Sequence, residues 1–297
     1  MDYVIEKTVF IILNYNSYEM TKKCYNNLKK LDNKINIIII DNNSTDESKD
    51  KLTELEKEKN TIVILSKENR GYAAGNNIGL KYIKNNMKNI DVAFIMNPDI
   101  IIDKVEYIYN LYEELKLDEE LAVITSITIY NDKLNFPNEC CWRFLNKNQV
   151  FFNGSLLGKV FCRKIWYNSL ELKDNIAYVD VAQGCFFGIK MKAVEKINYF
   201  DERTFLYCEE QIIGRKIKKI GMKTGVLVNT FIHHNHYEKD KSMINKKTRI
   251  FHLKCLKNSR KIIVEDYLGL NIFQKFLRNI FLDIDFFLKK LLIYIGF

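Results

Sequence analysis

A chain of 297 residues, of which 47% are hydrophobic and 28% charged, is long enough to bury a substantial core, so wholesale disorder is excluded. Its net charge of +9 permits an anionic partner, and its two prolines and 12 glycines form no linker or low-complexity tract. Seven scattered cysteines without a CxxC pair, and an N-terminus unlike a signal peptide, predict a reduced protein kept in the cytoplasm.

The first hundred residues alternate between short apolar strands and segments with helical periodicity. Strands are predicted at residues 8–13, 35–40, 61–65 and 91–96, and helices at residues 17–31, 44–58 and 72–85. Strands that are apolar throughout are typical of a parallel sheet covered on both faces. The predicted fold is therefore a Rossmann-like, doubly wound α/β fold.

Beyond residue 100 this alternation ends. Residues 121–130 and 179–189 are predicted strands without regular helices between them, and residues 131–178 are irregular and rich in aromatic residues. This pattern predicts a mixed-sheet region. The chain is predicted to be helical from residue 243 onward, which suggests a main domain at 1–238 and a basic, amphipathic extension at 239–297.

Ligands of a doubly wound sheet bind beyond the carboxyl ends of its strands. Polar residues follow all four predicted strands there, at Asn14, Asp41, 66–70 and 97–99. A carboxylate at Asp41 can accept the imide N–H of uracil or thymine. The residues after it fit local helix capping, with a capping box at Ser44 and Glu47.

The segment ENRGYAAGNN follows the third strand. Its small residues would let a ligand approach the backbone closely, and Arg70 could neutralise a phosphate. The segment is neither the dinucleotide G-x-G-x-x-G motif nor a Walker loop. A strand-to-helix turn with a small-residue packing face is the alternative.

Two further segments carry groups suited to metal binding. Asn97 and Asp99, separated by Pro98, could both direct an oxygen at Mg²⁺ or Mn²⁺, which would also be held by substrate phosphates. A simple turn is the alternative. The segment HHNH at 233–236 holds three of the four histidines and could add a ligand, although a satisfied histidine is the default interpretation for each.

Glu209 and Glu210 precede a basic amphipathic helix. Burial and a neighbouring like charge would raise the pKa of one carboxyl group toward the working pH of a general base. Complementing the helix dipole is the alternative role.

In their shared order, these segments resemble the family 2 glycosyltransferases of the GT-A fold, especially the rhamnosyltransferase-like branch. The resemblance spans about residues 7–260 and is carried by YN, DNNSTD, NRGYAAGNN, MNPD, GCFFGIK, FDERTFLYCEE and HHNH. It implies a metal-dependent, inverting glycosyltransferase that uses Mn²⁺ or Mg²⁺. The implied reaction moves a sugar from a UDP- or dTDP-sugar to a glycan or lipid-linked acceptor in bacterial surface polysaccharide synthesis.

The resemblance also implies roles for individual residues. Donor binding is expected from Asn14, Tyr15, Asn16, Asp41, Asn43, Arg70, Gly71, Gly75, Asn76, Asn97 and Gly184. Metal binding is expected from Asn97, Asp99 and His233. The expected base is Glu210, with Glu209 beside it, and Cys185 is expected near the sugar and the acceptor.

Three departures from the family pattern involve four positions. Asn97 replaces the first acid of the metal motif, which removes one negative charge. Glu210 stands where many relatives carry Asp, so its carboxylate reaches about one methylene further. Ile212 and Gly214 replace the acid-plus-aliphatic run that usually follows, which leaves the acceptor contacts open.

The tail at 269–297 has apolar residues at helical spacing, interrupted by lysines and acids. No uninterrupted apolar run of about 18 residues occurs, so no spanning helix is predicted. The tail could lie on the inner face of the membrane as an interfacial helix, pack on the main domain or form a homodimer contact. The basic residues of 239–261 fit a solvated helix face or an anionic partner, and no nucleic-acid motif occurs.

Two other classes compete with this assignment. A nucleotidyltransferase would need a glycine-rich, basic signature near the first strand, which VFIILNYNSYEM lacks. A non-catalytic sugar-nucleotide-binding module would leave Glu209 and Glu210 without a role.

Overall fold

The computed structural model describes residues 2–131, 133–134, 136–137, 140–146, 149, 167, 169–234 and 245–295. The first part of the chain contains α1 (Asp2–Lys7), β1 (Thr8–Asn14), α2 (Tyr18–Leu31), β2 (Ile37–Asp41), α3 (Ser48–Thr53), a 3₁₀ turn (Glu54–Lys57), β3 (Thr61–Leu65), α4 (Tyr72–Asn86), β4 (Val92–Met96), β5 (Ile100–Ile102), α5 (Val105–Leu117) and β6 (Leu121–Tyr130).

The remainder contains β7 (Lys133–Leu134), β8 (Cys141–Trp142), β9 (Leu172–Lys173), β10 (Ile176–Val179), β11 (Val181–Ala182), β12 (Phe186–Lys190), α6 (Met191–Lys196), α7 (Glu209–Lys219), β13 (Lys223–His234), α8 (Lys246–Ile262), a π-helical turn (Ile263–Tyr267) and α9 (Ile272–Tyr294). Among these helices, none combines the length and the apolarity that crossing a bilayer requires.

One large sheet organises the described residues, in the order β3-β2-β1-β4-β12-β6-β13-β10-β9. The strands from β3 to β4 are parallel, whereas β12 pairs antiparallel with both β4 and β6, and β13 is parallel to β6. The prediction of a doubly wound, mostly parallel sheet with a mixed region is confirmed. Strands β2 and β3 lie on one side of β1, and β4 lies on the other side. In such sheets a crevice for ligands forms where the strand order reverses in this way, here between β1 and β4.

The sheet is buried on both faces because its strands alternate between two cores. Phe10 and Ile12 of β1 join the core beneath α2 and α5, while Val9 and Ile11 join the core beneath α4 and α6. The isoleucines of β2 divide in the same way between the two clusters. A strand with two buried faces needs apolar side chains at every position, which explains the continuous apolar runs.

The structure corrects two predicted boundaries. Helix α3 begins at Ser48 rather than at residue 44, and Glu47 makes no side-chain cap there. The predicted capping box is therefore wrong, because the Ser44 hydroxyl bonds to Asp41 instead. The predicted strand 179–189 is divided among β10, β11 and β12. Residues 150–166 of the aromatic stretch lie outside the described residues.

The C-terminal helices form an antiparallel hairpin that packs on the main domain. Lys257 and Lys261 of α8 pair with Asp283 of α9 at 3.0 and 2.7 Å. The Ser259 hydroxyl donates to the Leu206 carbonyl at 2.9 Å, which attaches α8 to the segment that leads into α7. The predicted domain boundary at 238 falls in residues 235–244, outside the described residues, and stays a prediction.

Gly71, at the start of α4, holds a backbone conformation that other residues adopt with strain. Its φ is +91°, and a Cβ built there would lie 2.1 Å from the Phe205 carbonyl oxygen. That same carbonyl accepts a hydrogen bond from the Tyr72 N–H at 2.9 Å. Gly71 is therefore required for this close contact between α4 and the segment before α7.

We expect Gly71→Ala to lower the free energy of unfolding by about 2–5 kcal/mol, through both backbone strain and the clash with Phe205. Gly221→Ala is the matched control, since Gly221 has φ +75° but nothing within 4 Å of a built Cβ. It should lose only about 1–2 kcal/mol, the cost of the left-handed conformation alone. Urea unfolding measures both variants, and equal losses would show that contact with Phe205 is not what requires glycine.

Candidate active site

The carboxyl ends of β1 and β2 are joined by a network of side-chain hydrogen bonds. The buried Asn14 amide donates to Asp41 Oδ1 at 2.9 Å and accepts from the Thr21 hydroxyl at 2.7 Å. Asp41 also accepts from the Ser44 hydroxyl at 2.5 Å and, through Oδ2, from the Ser44 N–H at 2.9 Å. These bonds fix the spacing of the two strand ends.

Asp41 is only 1% exposed, and both its oxygens accept bonds from this chain. The observed contacts give it a structural task, and base recognition by Asp41 stays a prediction. Asn16 continues the network, since its Oδ1 accepts from the Thr45 N–H at 2.8 Å. Tyr15, which is 46% exposed, and the exposed Asn43 lie on the outer side of these loops.

The loop before α4 is held to β2 by Asn42, a residue that the sequence analysis did not select. Its Nδ2 donates to Asn69 Oδ1 at 2.9 Å and to the Gly71 carbonyl at 3.2 Å. The exposed Arg70 pairs with Glu202 at 3.0 Å. A phosphate would have to compete with that carboxylate for the guanidinium.

The small residues of α4 have packing partners within the protein. A Cβ on Gly75 would lie 2.5 Å from Leu13 Cδ1, so glycine lets α4 sit directly on β1. Asn76 is 1% exposed, donates to the Tyr72 carbonyl at 3.0 Å, and its Oδ1 finds no partner among the described residues. The small-residue packing interpretation therefore accounts for Gly75, while Asn76 presents a buried acceptor.

Asp99, just after β4, meets a histidine from the far end of the chain. Its Oδ2 lies 3.0 Å from Nε2 of His234, 135 residues later. The pairing of β13 with β5 places these groups together, since His234 is aligned with Ile100. His234 is 5% exposed and Asp99 18% exposed at their side chains, so the pair is well shielded from water.

His233, the histidine expected at the metal site from the sequence, has a different partner. His233 contacts Asp103 at 2.8 Å. Successive side chains of a strand point to opposite faces, so only one of these two neighbours can face Asp99. The structure thus pairs His234 with Asp99, and metal binding by His233 stays a prediction. His236 lies outside the described residues.

The Asp99–His234 pair fits a divalent cation chemically, because a carboxylate oxygen and an imidazole nitrogen already converge with little exposure. Asn97 begins the same turn, and its backbone N–H donates to the Cys185 carbonyl at 2.8 Å. Within the described parts of the chain, no three His, Cys, Asp or Glu side chains form a complete metal site. A cation here would need further ligands.

The acid pair begins α7 after two residues with unusual backbone angles. Tyr207 and Cys208 have φ of +74° and +70°, a conformation that costs non-glycine residues free energy. The turn brings the carboxyl groups of Glu209 and Glu210 inward rather than leaving them on the surface as helix-dipole charges. Glu209 is 5% exposed, and its Oε1 has no hydrogen-bond partner among the described residues.

Burial changes the acidity of both carboxyl groups. Burial first, and then the neighbouring charge of Glu210, raises the pKa of Glu209. Burial also raises the pKa of Glu210, against the opposing effect of hydrogen bonds from its own backbone and that of Gly184. Such a pair favours carrying one charge rather than two.

Gly184 and Cys185 lie between the acid pair, Glu209 and Glu210, and the turn that carries Asp99. A Cβ on Gly184 would lie 2.5 Å from Glu210 Oε1, so the carboxylate rests directly on this glycine. Cys185 is buried, and after burial the nearby Asp99 is the next cause that raises the pKa of its thiol. Gly184 therefore contacts Glu210, while the Cys185 carbonyl accepts from the Asn97 N–H in the turn that carries Asp99.

Tyr72 supports this connection and was not selected from the sequence. Its hydroxyl donates to the Gly184 carbonyl at 2.8 Å. Burial, followed by Glu210 and Glu209, raises the pKa of Tyr72, which keeps the hydroxyl protonated. A tyrosine at the start of an amphipathic helix carries no sequence signal that separates this role from core packing.

Gly214, one of the departures from the family pattern, has a local explanation. A Cβ there would lie 2.4 Å from the Asp180 carbonyl oxygen. Its neighbour Ile212 is buried in the cluster that joins α7 to the C-terminal hairpin. Both positions therefore serve packing between elements.

The sheet order, with its site at the carboxyl edge where the parallel and mixed regions meet, defines a GT-A-type architecture. The sequence model of glycosyl transferase family 2 matches residues 9–197, more than half of the chain. The chain belongs to glycosyl transferase family 2.

Three curated relatives show the range of this family. The chain is 28% identical over 210 residues to the low-salt glycan biosynthesis hexosyltransferase Agl10 of Haloferax volcanii, covering 70% of this chain and 60% of that protein. It is 25% identical to the poly-beta-1,6-N-acetyl-D-glucosamine synthase of Staphylococcus aureus, covering 74% and 47%. It is 26% identical to the rhamnosyltransferase WbbL of Escherichia coli K12, covering 82% and 89%. The chain thus spans only about half to three fifths of the first two relatives.

Solved structures support the fold. GalNAc-T7 with UDP, GalNAc and Mn²⁺ matches with a TM-score of 0.63 at 14% identity, covering 88% of this chain and 48% of that one. The mannosyltransferase PcManGT of Pyrobaculum calidifontis, with GDP-Man and Mn²⁺, matches with a TM-score of 0.57 at 13% identity, covering 96% and 70%. At these identities the likeness establishes the GT-A fold alone.

Glu209→Gln tests whether Glu209 is protonated in the folded protein. A raised pKa means that the native state keeps a proton which the unfolded chain releases as pH rises, so wild-type stability falls between pH 5 and pH 8. The variant lacks this loss. The free energy of unfolding of the variant minus that of the wild type should therefore be about 1–3 kcal/mol larger at pH 8 than at pH 5.

Urea unfolding at both pH values measures this difference. Glu56→Gln, on the exposed surface, is the control and should track the wild type at both. If the difference in free energy of unfolding between Glu209→Gln and the wild type does not grow with pH, Glu209 ionises as readily in the folded protein as in the unfolded chain.

Proposed function

We propose that the protein is a metal-dependent, inverting glycosyltransferase. Its donor would be a UDP- or dTDP-sugar and its acceptor a glycan or lipid-linked molecule, in bacterial surface polysaccharide synthesis at the inner face of the membrane. The observation that carries this proposal is that consecutive residues touch both groups: Gly184 lies against Glu210, and the Cys185 carbonyl accepts a hydrogen bond from the Asn97 N–H, two residues before Asp99. A base and a diphosphate-binding centre must be this close for sugar transfer.

Asp99 and His234 would hold Mn²⁺ or Mg²⁺, with Asn97 beside them and the donor's phosphates completing the ligand set. When bound, the cation would offset the negative charge that grows on the departing nucleotide diphosphate. Two relatives by fold were solved with Mn²⁺ and a nucleotide or nucleotide sugar, which supports this choice.

Glu210 would act as the base. Its carboxylate lies directly against Gly184 and accepts backbone hydrogen bonds that favour the charged form, and the pair it makes with Glu209 favours carrying one charge rather than two. As the acceptor oxygen forms its bond to the anomeric carbon, its proton passes to the Glu210 carboxylate, and the bond to the nucleotide diphosphate breaks. This single displacement inverts the anomeric configuration.

The loops after β1 and β2 would border the nucleotide. Asn14 and Asp41 hold these loops in register, while Tyr15 is exposed enough to contact a base directly. A non-catalytic sugar-nucleotide binder would also use these loops, but it would gain nothing from a strained turn that buries two carboxyl groups.

Thermal-shift titrations with UDP, dTDP, GDP and CMP, each with and without Mn²⁺, test the donor site. We expect a Mn²⁺-dependent rise in melting temperature with UDP or dTDP. His234→Ala should raise the Mn²⁺ concentration that gives half the shift by tenfold or more, and the matched variant His233→Ala should leave it unchanged. A larger effect from His233→Ala would overturn the assignment of His234, and no shift with any nucleotide would favour a different class of ligand.

Glu210→Gln tests the base. Donor hydrolysis, followed as release of UDP or dTDP from a panel of their sugars, should slow by about 10²–10⁴-fold because the variant cannot accept the proton. Glu209→Gln should lose about tenfold or less. Both variants should keep the nucleotide-dependent thermal shift, which separates lost chemistry from lost binding, and a Glu210→Gln enzyme with near-normal turnover would exclude this residue as the base.

A further inference from the structure

The outer face of α9 exposes a continuous row of large apolar side chains. Ten such residues between Ile272 and Tyr294 are exposed, and they recur every three or four positions, which places them on one side of the helix. The most exposed of them are Ile272, Phe273, Phe276, Ile284, Phe287 and Tyr294, at 52–84%. Apolar surface of this extent marks an interaction site.

The opposite face of α9 is turned toward the protein and mixes charged side chains with the buried Leu282 and Ile293. Arg278 and Asp285 are only 2% and 8% exposed, and Lys289 contacts Asp285 at 2.7 Å. Asn279 donates to Glu265 in the π-helical turn at 2.5 Å. The helix therefore buries two charged residues beside Leu282 and Ile293 and leaves its longer apolar row outside, whereas a helix that packs only onto a soluble core keeps its apolar row inside. Packing onto the main domain is thus not what the apolar row is used for.

Most of the protein's net charge lies in the same hairpin. Residues 245–295 contain eleven Lys and Arg against four Asp and Glu, so this segment carries +7 of the total +9. On α8, the exposed Lys247 and Lys254 lie one turn on either side of Phe251, which is 47% exposed. An apolar face within a basic hairpin is complementary to an anionic lipid surface.

We propose that the outer face of α9 docks in the interfacial layer of an anionic lipid bilayer, with the helix lying parallel to its plane. At 23 residues, α9 is about 34 Å long and presents a convex ridge, which lipid can surround without a matching groove. A second copy would bring the same convex ridge and another +7 charge, so charge complementarity favours lipid over self-association. This inference rests on the hairpin alone and is independent of the proposed transfer reaction.

Flotation of the full chain with vesicles tests the proposal. We expect the wild type to float with vesicles of equal parts phosphatidylglycerol and phosphatidylcholine, and much less with phosphatidylcholine alone or at high salt. Phe276→Ser/Phe287→Ser should lower the partition coefficient tenfold or more. Both side chains are at least 60% exposed, so the melting temperature should stay unchanged.

Leu117→Ser/Leu172→Ser is the matched control, since it removes two leucines that are 75% and 56% exposed elsewhere on the surface. It should float like the wild type. Equal flotation of both double variants, or no flotation of the wild type, would overturn the proposal. Sedimentation of a dimer that Phe276→Ser/Phe287→Ser dissociates, without vesicle binding by the wild type, would assign the face to a second copy instead.

Discussion

The antiparallel pairing of β4 with β12 is the contact on which the site depends. It aligns Met96 with Phe186, so the residues just beyond each strand, Asn97 and Cys185, become neighbours joined by a backbone hydrogen bond. The parallel half of the sheet contributes the Asp99 turn, and the mixed half contributes Gly184. Because the candidate groups lie on both sides of the β4–β12 pairing, neither half of the sheet could assemble the site alone.

Energetically unfavourable features are concentrated close to the β4–β12 pairing. Two consecutive residues with positive φ, a pair of buried carboxyl groups and the close approach of Gly71 to Phe205 all occur between residues 205 and 210 or in contact with them. Strained backbone and buried acids persist only where the surrounding packing holds them. Here the restraint comes from the sheet on one side and from α8 on the other, through Ser259 and Leu206.

The sequence predicted the fold well because buried parallel strands must be apolar. β4 is apolar at every position, and β1 and β2 depart from this only at end residues, Thr8, Asn14 and Asp41. It predicted the region of the site for a related reason, since polar residues directly after such strands are conspicuous. The choice between His233 and His234 could not be predicted, because it depends on the register between β13 and β5. Nor could the role of Ser44 be read locally, since its partners Asp41 and Asn14 compete with helix capping.

The C-terminal hairpin packs directly against the segment that leads into the acid pair. The Tyr207 hydroxyl lies 2.7 Å from Nδ1 of His252, and Phe251 packs edge-on against Phe205. Arg203 meets Asp266 of the π-helical turn at 2.6 Å. Arg203, Phe205, Leu206 and Tyr207 thus each have a partner in the hairpin. The hairpin therefore helps to hold the left-handed turn at Tyr207 and Cys208, and this turn places the two carboxyl groups at the start of α7.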